Sequence, residues 1–365
     1  MSNVTLFGGV DYHQDQLQVC LLDPSAKQII NRSIVNDVDA VAELLRRSGQ
    51  VQAVAIEACC GAASFGEQLA AKGPWRVELA HAGYVAKLKQ SPDKSDYSDG
   101  RLLADLTRVG YLPRVWLAPP AVRDLRQLVH HRQRLVDQRR ALKLRVGGLL
   151  REQRVKLQGP RWGKRWVAQA QDHDALSPAA RWLMNDLLEE IEHVTAKLGK
   201  TEQRLREACD ADAAITKLIQ RLRSIEGVGE VTAWMLAAWV GRFDRFKTGK
   251  QLSRYCGLSP RNASSGKRVA DAGLIDAANP QLRAVLIQAG HRLIRTDQRW
   301  GKLAQRLLAQ GKPRCVVVAA VANRWVRSMH HRMIDAPRTI DAPPEDRCTP
   351  GRIDLNHQRI DEPQP

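Results

Sequence analysis

The first apolar runs follow a strand-like pattern. In VTLFGGVDYHQDQLQVCLLD two β-rich stretches flank a polar turn, which predicts a hairpin whose first strand ends at Asp11. DVDAVAELLRR then repeats its apolar positions at helical spacing, VQAVAIEA reads as a short buried strand ending at Glu57, and SFGEQLAAKG predicts a helix closed by Gly73. An α/β layout therefore extends to about residue 115.

Beyond Pro119 and Pro120 the period changes, with Leu128, Leu135, Leu142 and Leu149 recurring every seventh residue amid many Arg and Lys. Ser177 and Pro178 supply an N-cap and a first helical position for a second long helix. It places Met184, Leu187, Ile191, Val194, Leu198 and Leu205 at spacings dominated by three and four. These two helices predict either an antiparallel hairpin or a coiled coil between chains. From about residue 214 to 333, Gly and Pro punctuation at EGVGE, CGLSPRNASSGKR and AANP marks compact short helices, and the Pro- and Asp-rich end reads as a disordered tail. The expected organisation is an α/β domain at 1–117, a helical coiled-coil segment at 118–213, an all-α domain at 214–334 and a tail at 335–365.

Charge sharpens this picture. The 365 residues carry 57 Lys and Arg against 39 Asp and Glu, a formal charge of +18, which favours a polyanionic partner, nucleic acid first. The seven cysteines are scattered, with no CxxC pair and no zinc-like spacing, so reduced, metal-free thiols are expected. No basic leader precedes a long apolar run, and no stretch approaches the roughly 18 apolar residues of a membrane helix, which points to a cytoplasmic protein without a membrane partner.

Against the basic background SPDKSDYSDG clusters acids. Asp96 and Asp99, three apart, share one helix face, whereas Asp93 falls outside it and reads as an N-cap or surface charge. With Asp11 and Glu57 at strand ends, these acids form a set able to bind divalent cations for phosphodiester chemistry, hard oxygen ligands selecting Mg²⁺ or Mn²⁺. The same spacing also suits a plain acidic helix start. SIEGVGEVTAWMLAAWVG resembles a helix-hairpin-helix. Gly227 and Gly229 would let backbone N–H groups meet a phosphate, or simply make a tight turn between packed helices. In YCGLSPRNASSGKR, Ser264, Ser265 and Gly266 lie among Arg261, Lys267 and Arg268, which suits a hydroxyl nucleophile flanked by cations, a phosphate contact or an ordinary loop.

In this order the motifs resemble the DEDD transposases of bacterial insertion sequences, of the one-ten type, and the related Piv DNA invertases. The match covers nearly the whole chain except the tail, through GVDYHQ, IEACCGAASF, DKSDYSDGRLLADL, SIEGVGEVTA, FKTGKQLSRYCGLSPRNASSGKR and NPQLRAVLIQAGHRL. The resemblance implies a RuvC-like, RNase H-type first domain in which Asp11, Glu57, Asp96 and Asp99 bind Mg²⁺. It also implies a serine nucleophile, best matched by Ser265 with Ser264 the alternative, that completes a composite site. It further implies dimers pairing into tetramers, donor and target DNA as substrates, a structured bridge RNA carrying sequence specificity, and a bacterial, nucleoid-associated location. Ser95 stands where relatives have Thr or Asn, Gly100 where they have Ala, and Asp271 and Asp276 where they carry a basic segment. Two other readings compete: a Holliday-junction resolvase-like nuclease using the acids and metals alone, and a non-catalytic nucleic-acid-binding derivative.

Overall fold

The computed structural model describes residues 5–89, 95–262 and 271–334, and its contacts divide into two units, Met1–Pro120 and Ala121–Pro365. The first unit is built on β1 (Thr5–Tyr12), β2 (Gln16–Leu22), β3 (Gln28–Val35), β4 (Gln50–Glu57), β5 (Arg76–Ala80) and β6 (Arg114–Val115). They form one mixed sheet in the order β3-β2-β1-β4-β5-β6. The first three strands run as an antiparallel meander, β4 and β5 lie parallel to β1, and β6 returns antiparallel. The hairpin at the start of the chain is thus present. The pattern passed over β3 because, at the sheet edge, none of its residues is fully buried and only Ile30 and Ile34 pack against the core.

Period-two alternation sends Leu6, Val10, Val54 and Ile56 to one face, where they share a core with α1 (Val38–Ser48) and α2 (Ala62–Ala70). Asp37 caps α1 by accepting a 2.7 Å hydrogen bond from Ala40 N. Helix α2 stops at Ala70, short of the expected Gly73. Gly73 instead makes room for the indole of Trp75, whose Nε1–H donates to Leu69 O at 2.9 Å.

The opposite face receives α4 (Asp96–Arg108), which follows the short α3 (Ala82–Leu88). Here Ala55, Leu103 and Leu106 share one cluster and Cys20, Leu22 and Ala104 another. The crossing depends on Gly9. A Cβ at that position would sit 2.8 Å from Leu103 Cβ and collide with the backbone of Gly100 and Ala104. Gly100 is less constrained, since the nearest atom to its Cβ position is Gln18 O at 3.3 Å.

In the second unit α5 (Pro120–Glu152), α6 (Lys164–Gln171) and α7 (Pro178–Asp210) pack within one chain. Val146 and Leu150 near the end of α5 share a core with Met184 and Leu187 near the start of α7, and Leu125 and Val129 share another with Leu205 and Cys209, so the helices are antiparallel. An ion pair of 2.8 Å between Arg132 and Glu202 ties them between these cores. The buried seam of α5 differs from the heptad of leucines. Leu135 and Leu142 are buried, but Leu128 and Leu149 are only partly so, as expected when 3.6 residues per turn drift from a seven-residue repeat.

The remainder comprises α8 (Ala213–Arg223), α9 (Glu230–Trp239), α10 (Gly249–Tyr255), α11 (Pro280–Thr296), α12 (Gln298–Ala309) and α13 (Arg314–Ile334) around one core. This part is not all-α as expected: β7 (Pro260–Asn262) and β8 (Asp271–Leu274) pair as an antiparallel ribbon. Such short strands carry too few positions to show a period. The tail at 335–365 lies outside the described residues.

Gly9→Ala is expected to cost about 2–3 kcal/mol, because neither backbone can yield without moving α4. Gly100→Ala should change stability by less than about 1 kcal/mol, helix propensity offsetting the crowding on Gln18. Urea denaturation of the two variants checks both.

Candidate active site

Asp11 follows directly from the Gly9 contact. Two residues along β1 it projects from the same face, one pleat beyond the point where α4 crosses. Gly9 pairs in register with Ala55 on the parallel neighbour β4, so Glu57, two residues on, projects from that face at the same level as Asp11. Helix α4 presents its N-terminal turn at this end, with Asp96 and Asp99 in it. Two strand ends and one helix start thus lie at the carboxyl ends of parallel strands, where open α/β sheets place ligands. Register puts Glu57 at this end of the sheet, and Asp11 and Asp96 are brought within ligand distance of a shared neighbour.

His13, two residues beyond Asp11, joins them. Its Nε2 lies 3.2 Å from Asp11 Oδ2 and 3.4 Å from Asp96 Oδ1, and one ligand atom from each of Asp11, His13 and Asp96 lies within 4.8 Å of the others. Asp99 is buried, and the Lys89 ammonium sits 2.6 Å from its Oδ2. Burial pushes the Asp11 carboxyl above its ordinary range; His13 opposes the shift, and the nearby charges of Asp99 and Asp96 add to it. The Cys59 thiol is raised chiefly by burial and then by the charge of Glu57, while the Asp11 charge adds a smaller push, which places this thiol in the field of both acids. Tyr97 fastens the start of α4 to β3: its hydroxyl receives a 2.7 Å bond from Gln28 Nε2, and its carbonyl receives one of 3.0 Å from Asn31 Nδ2.

The cap position of α4 belongs to Ser95, and Asp93 lies outside the described residues. Sequence reasoning missed His13 and Lys89. Period two from Asp11 through His13 was the available signal for the first, whereas nothing in the spacing linked Lys89 to Asp99.

In the second unit Gly227 adopts φ +86°, and a Cβ there would lie 2.7 Å from Leu293 Cδ2. Its carbonyl accepts from Arg292 at 2.9 Å, and the carbonyl of Glu226 accepts from Trp325 Nε1 at 2.9 Å, so this turn is locked to α11 and α13. Gly229 caps α9, but the first helical residue is Glu230, whose carboxylate takes a bidentate pair from Arg206 at 2.9 and 3.0 Å. An anion approaching this helix start would meet a carboxylate already in place. Exposed Arg261 stands on β7; Ser264, Ser265, Lys267 and Arg268, between β7 and β8, lie outside the described residues. The stem that bears them is anchored: Ile275 N donates to Ser259 O at 3.1 Å, and Asn323 Nδ2 donates to Leu258 O at 3.0 Å and to the buried Ser253 Oγ at 2.7 Å.

Residues 8–154 match a DEDD transposase model of the IS110 type, and residues 219–305 match the model described as Transposase IS116/IS110/IS902 family. A "Probable family 20 transposase" of Pseudomonas aeruginosa is 30% identical over 296 residues, 75% of this chain and 81% of its own. The chain belongs to the IS110/IS116/IS902 family of transposases. It is also similar to the transposase for insertion sequence element IS1111A of Coxiella burnetii, 29% identical over 327 residues and 86% of either chain. The transposase for IS1328 of Yersinia enterocolitica is 25% identical over 281 residues, 75% of this chain and 81% of its own. An IS110-family transposase is a DNA-cleaving and joining enzyme, and the acidic end of the sheet lies within the part that matches the DEDD model. Among the described residues, no helix is long and apolar enough to cross a membrane.

Because the fold raises the Asp11 pKa, ionised Asp11 opposes stability above its ordinary range near 3.8, and the opposition fades as pH falls through the raised value. Asp11→Asn is therefore expected to raise the melting temperature in chelator-treated buffer at neutral pH. Thermal melts across pH should show that gain shrinking toward acid.

Proposed function

We propose that this transposase exchanges DNA strands through a serine nucleophile, with Asp11, Glu57, Asp96 and Asp99 holding Mg²⁺ or Mn²⁺ in an RNase H-type domain. The convergence of Asp11 and Asp96 about His13, with Asp99 and Glu57 at the same sheet end, carries the reading. The donor set fits a hard divalent cation. It is dominated by carboxylate oxygens, and three of these acids already draw cationic or titratable partners, Asp99 through Lys89 and Asp11 and Asp96 through His13. A bound divalent cation would supply positive charge to the phosphate as negative charge develops on it. His13 orients Asp11 and Asp96 toward each other, Lys89 forms an ion pair with Asp99, and the first turn of α4 contributes the positive end of its dipole.

In the proposed reaction Ser265 Oγ forms a bond to phosphorus as the bond from phosphorus to a deoxyribose oxygen breaks. The hydroxyl proton leaves to a base and the departing oxygen takes one up. Ser264 is the alternative nucleophile. The strands then rejoin in a new order when the freed deoxyribose hydroxyl of another strand gives up its proton and attacks the phosphoserine phosphorus, breaking the bond to Ser265 Oγ, which takes up a proton. A structured bridge RNA selects target and donor, homodimers pair into tetramers, and the protein works at the nucleoid. The family membership and the charge of +18 support these readings.

Two measurements test this. Mn²⁺ or Mg²⁺ should raise the melting temperature of the wild-type protein but not of Asp11→Asn or Asp96→Asn, by mass action on the folded state. Protein, RNA transcribed from the flanking DNA and matched donor and target DNA should give a covalent protein–DNA adduct that both Ser265→Ala and Asp96→Ala abolish. An adduct lost in Ser264→Ala and kept in Ser265→Ala would move the nucleophile by one residue. Cleaved DNA without adduct would favour a resolvase-like nuclease, and binding without any product a non-catalytic derivative.

A further inference from the structure

Helices α12 and α13 together contain seven Lys and Arg and no Asp or Glu (QRWGKLAQRLLA and RCVVVAAVANRWVRSMHHRMI), in a chain where basic residues outnumber acidic ones only 57 to 39. The two helices pack against each other, and between them lies a cavity of about 520 Å³ lined by Arg299, Arg306, Arg324, Arg327, Ser328 and His331 over a floor of Trp300 and Leu303. Arg299 and Arg306 are two turns apart on α12, and Arg324, Arg327 and His331 follow at three and four residues on α13, so each helix turns one cationic face inward.

Among the described residues no carboxylate forms an ion pair with any of the four arginines. The acid at the start of α12, Asp297, is occupied in capping, accepting from Trp300 N at 3.0 Å. The Arg299 guanidinium is held 4.7 Å from the centre of the Trp300 ring, and Arg324 Nη1 reaches only the carbonyl of Ala320 in its own helix, at 3.1 Å. Four like charges around one concavity repel, and an anion with several oxygens would relieve that repulsion while taking paired N–H bonds from the guanidinium forks. The two-turn reach of α12, about 10.5 Å, suits a linear polyanion better than a single small anion.

We propose that the α12–α13 groove binds the phosphodiester backbone of a nucleic acid, through residues that neither the acidic cluster nor the serine segment uses. The ligand chemistry is shared by DNA and RNA, so the test runs both: a duplex DNA and an RNA hairpin of equal length, bound to the full-length protein over a series of salt concentrations. The variant R299Q/R306Q/R324Q removes three exposed cations, and K197Q/K200Q/K217Q removes the same charge from exposed positions elsewhere. The groove variant is expected to lose at least about tenfold in affinity relative to that control. Its slope of log affinity against log salt should flatten by about 0.9 per lost phosphate contact on duplex DNA.

A loss confined to one arm supports the groove and assigns it to that nucleic acid; a loss in both assigns it to the backbone in general. R299K/R306K/R324K should regain most of the affinity, which a packing defect would not allow, and melting temperatures check that each variant is folded. A groove variant that binds no more weakly than the charge-matched control in either arm would overturn the proposal. The readout is binding, so it stands or falls apart from the metal and serine assignments.

Discussion

The crossing of β1 by α4 at Gly9 is the constraint from which the candidate site follows. Backbone meets backbone there, with no room for a methyl group, and the helix is held on the face of the sheet that Asp11 and Glu57 share. Side chains alternate along strands, so Asp11 faces the same side as Gly9, and the missing side chain at Gly9 sets how near α4 can come. Tyr97 then fixes the start of the helix through Gln28 and Asn31 on the edge strand β3.

Bringing carboxylates together opposes folding, and the structure shows how the opposition is contained. Lys89 neutralises the buried Asp99, His13 stands between Asp11 and Asp96, and the N-terminal end of α4 adds a favourable field. Even so, the Asp11 carboxyl stays above its ordinary range because burial outweighs its partner. A set of acids kept together at such cost fits a DNA-cleaving and joining enzyme of the IS110 family better than a merely solvated helix start.

The second unit distributes its charge differently. Along α5 and α7 the basic surface is interrupted by acids and by pairs such as Arg132 with Glu202, and at α9 the Glu230 carboxylate is already claimed by Arg206. Around the α12–α13 groove, among the described residues, Arg299, Arg306, Arg324 and Arg327 form no ion pair with a carboxylate. The glycines of the EGVGE turn, which the sequence offers as a phosphate contact, have a packing role that is plain in the structure: Gly227 holds a left-handed conformation under Leu293, and its neighbours are tied down by Arg292 and Trp325.

Local periodicity was enough to reveal the opening hairpin, strand β4 ending at Glu57, helix α1 and the seam of α7, because each depends on spacing along one element. The three-residue spacing of Asp96 and Asp99 likewise put them on one face. It did not reveal that Asp96 turns to His13 while Asp99 is buried against Lys89, since those partners come from other elements. The pairing of β1 with β4, the antiparallel packing of α5 on α7 within one chain and the β7–β8 ribbon were equally hidden. The sequence alone supplied the candidate carboxylates and the period on which each element displays them. Which acids meet, and which cations are left without a counter-charge, was decided only by tertiary packing, because Coulomb and hydrogen-bond partners are chosen by distance in space, and residues far apart in the chain become neighbours only once the sheet and helices have closed.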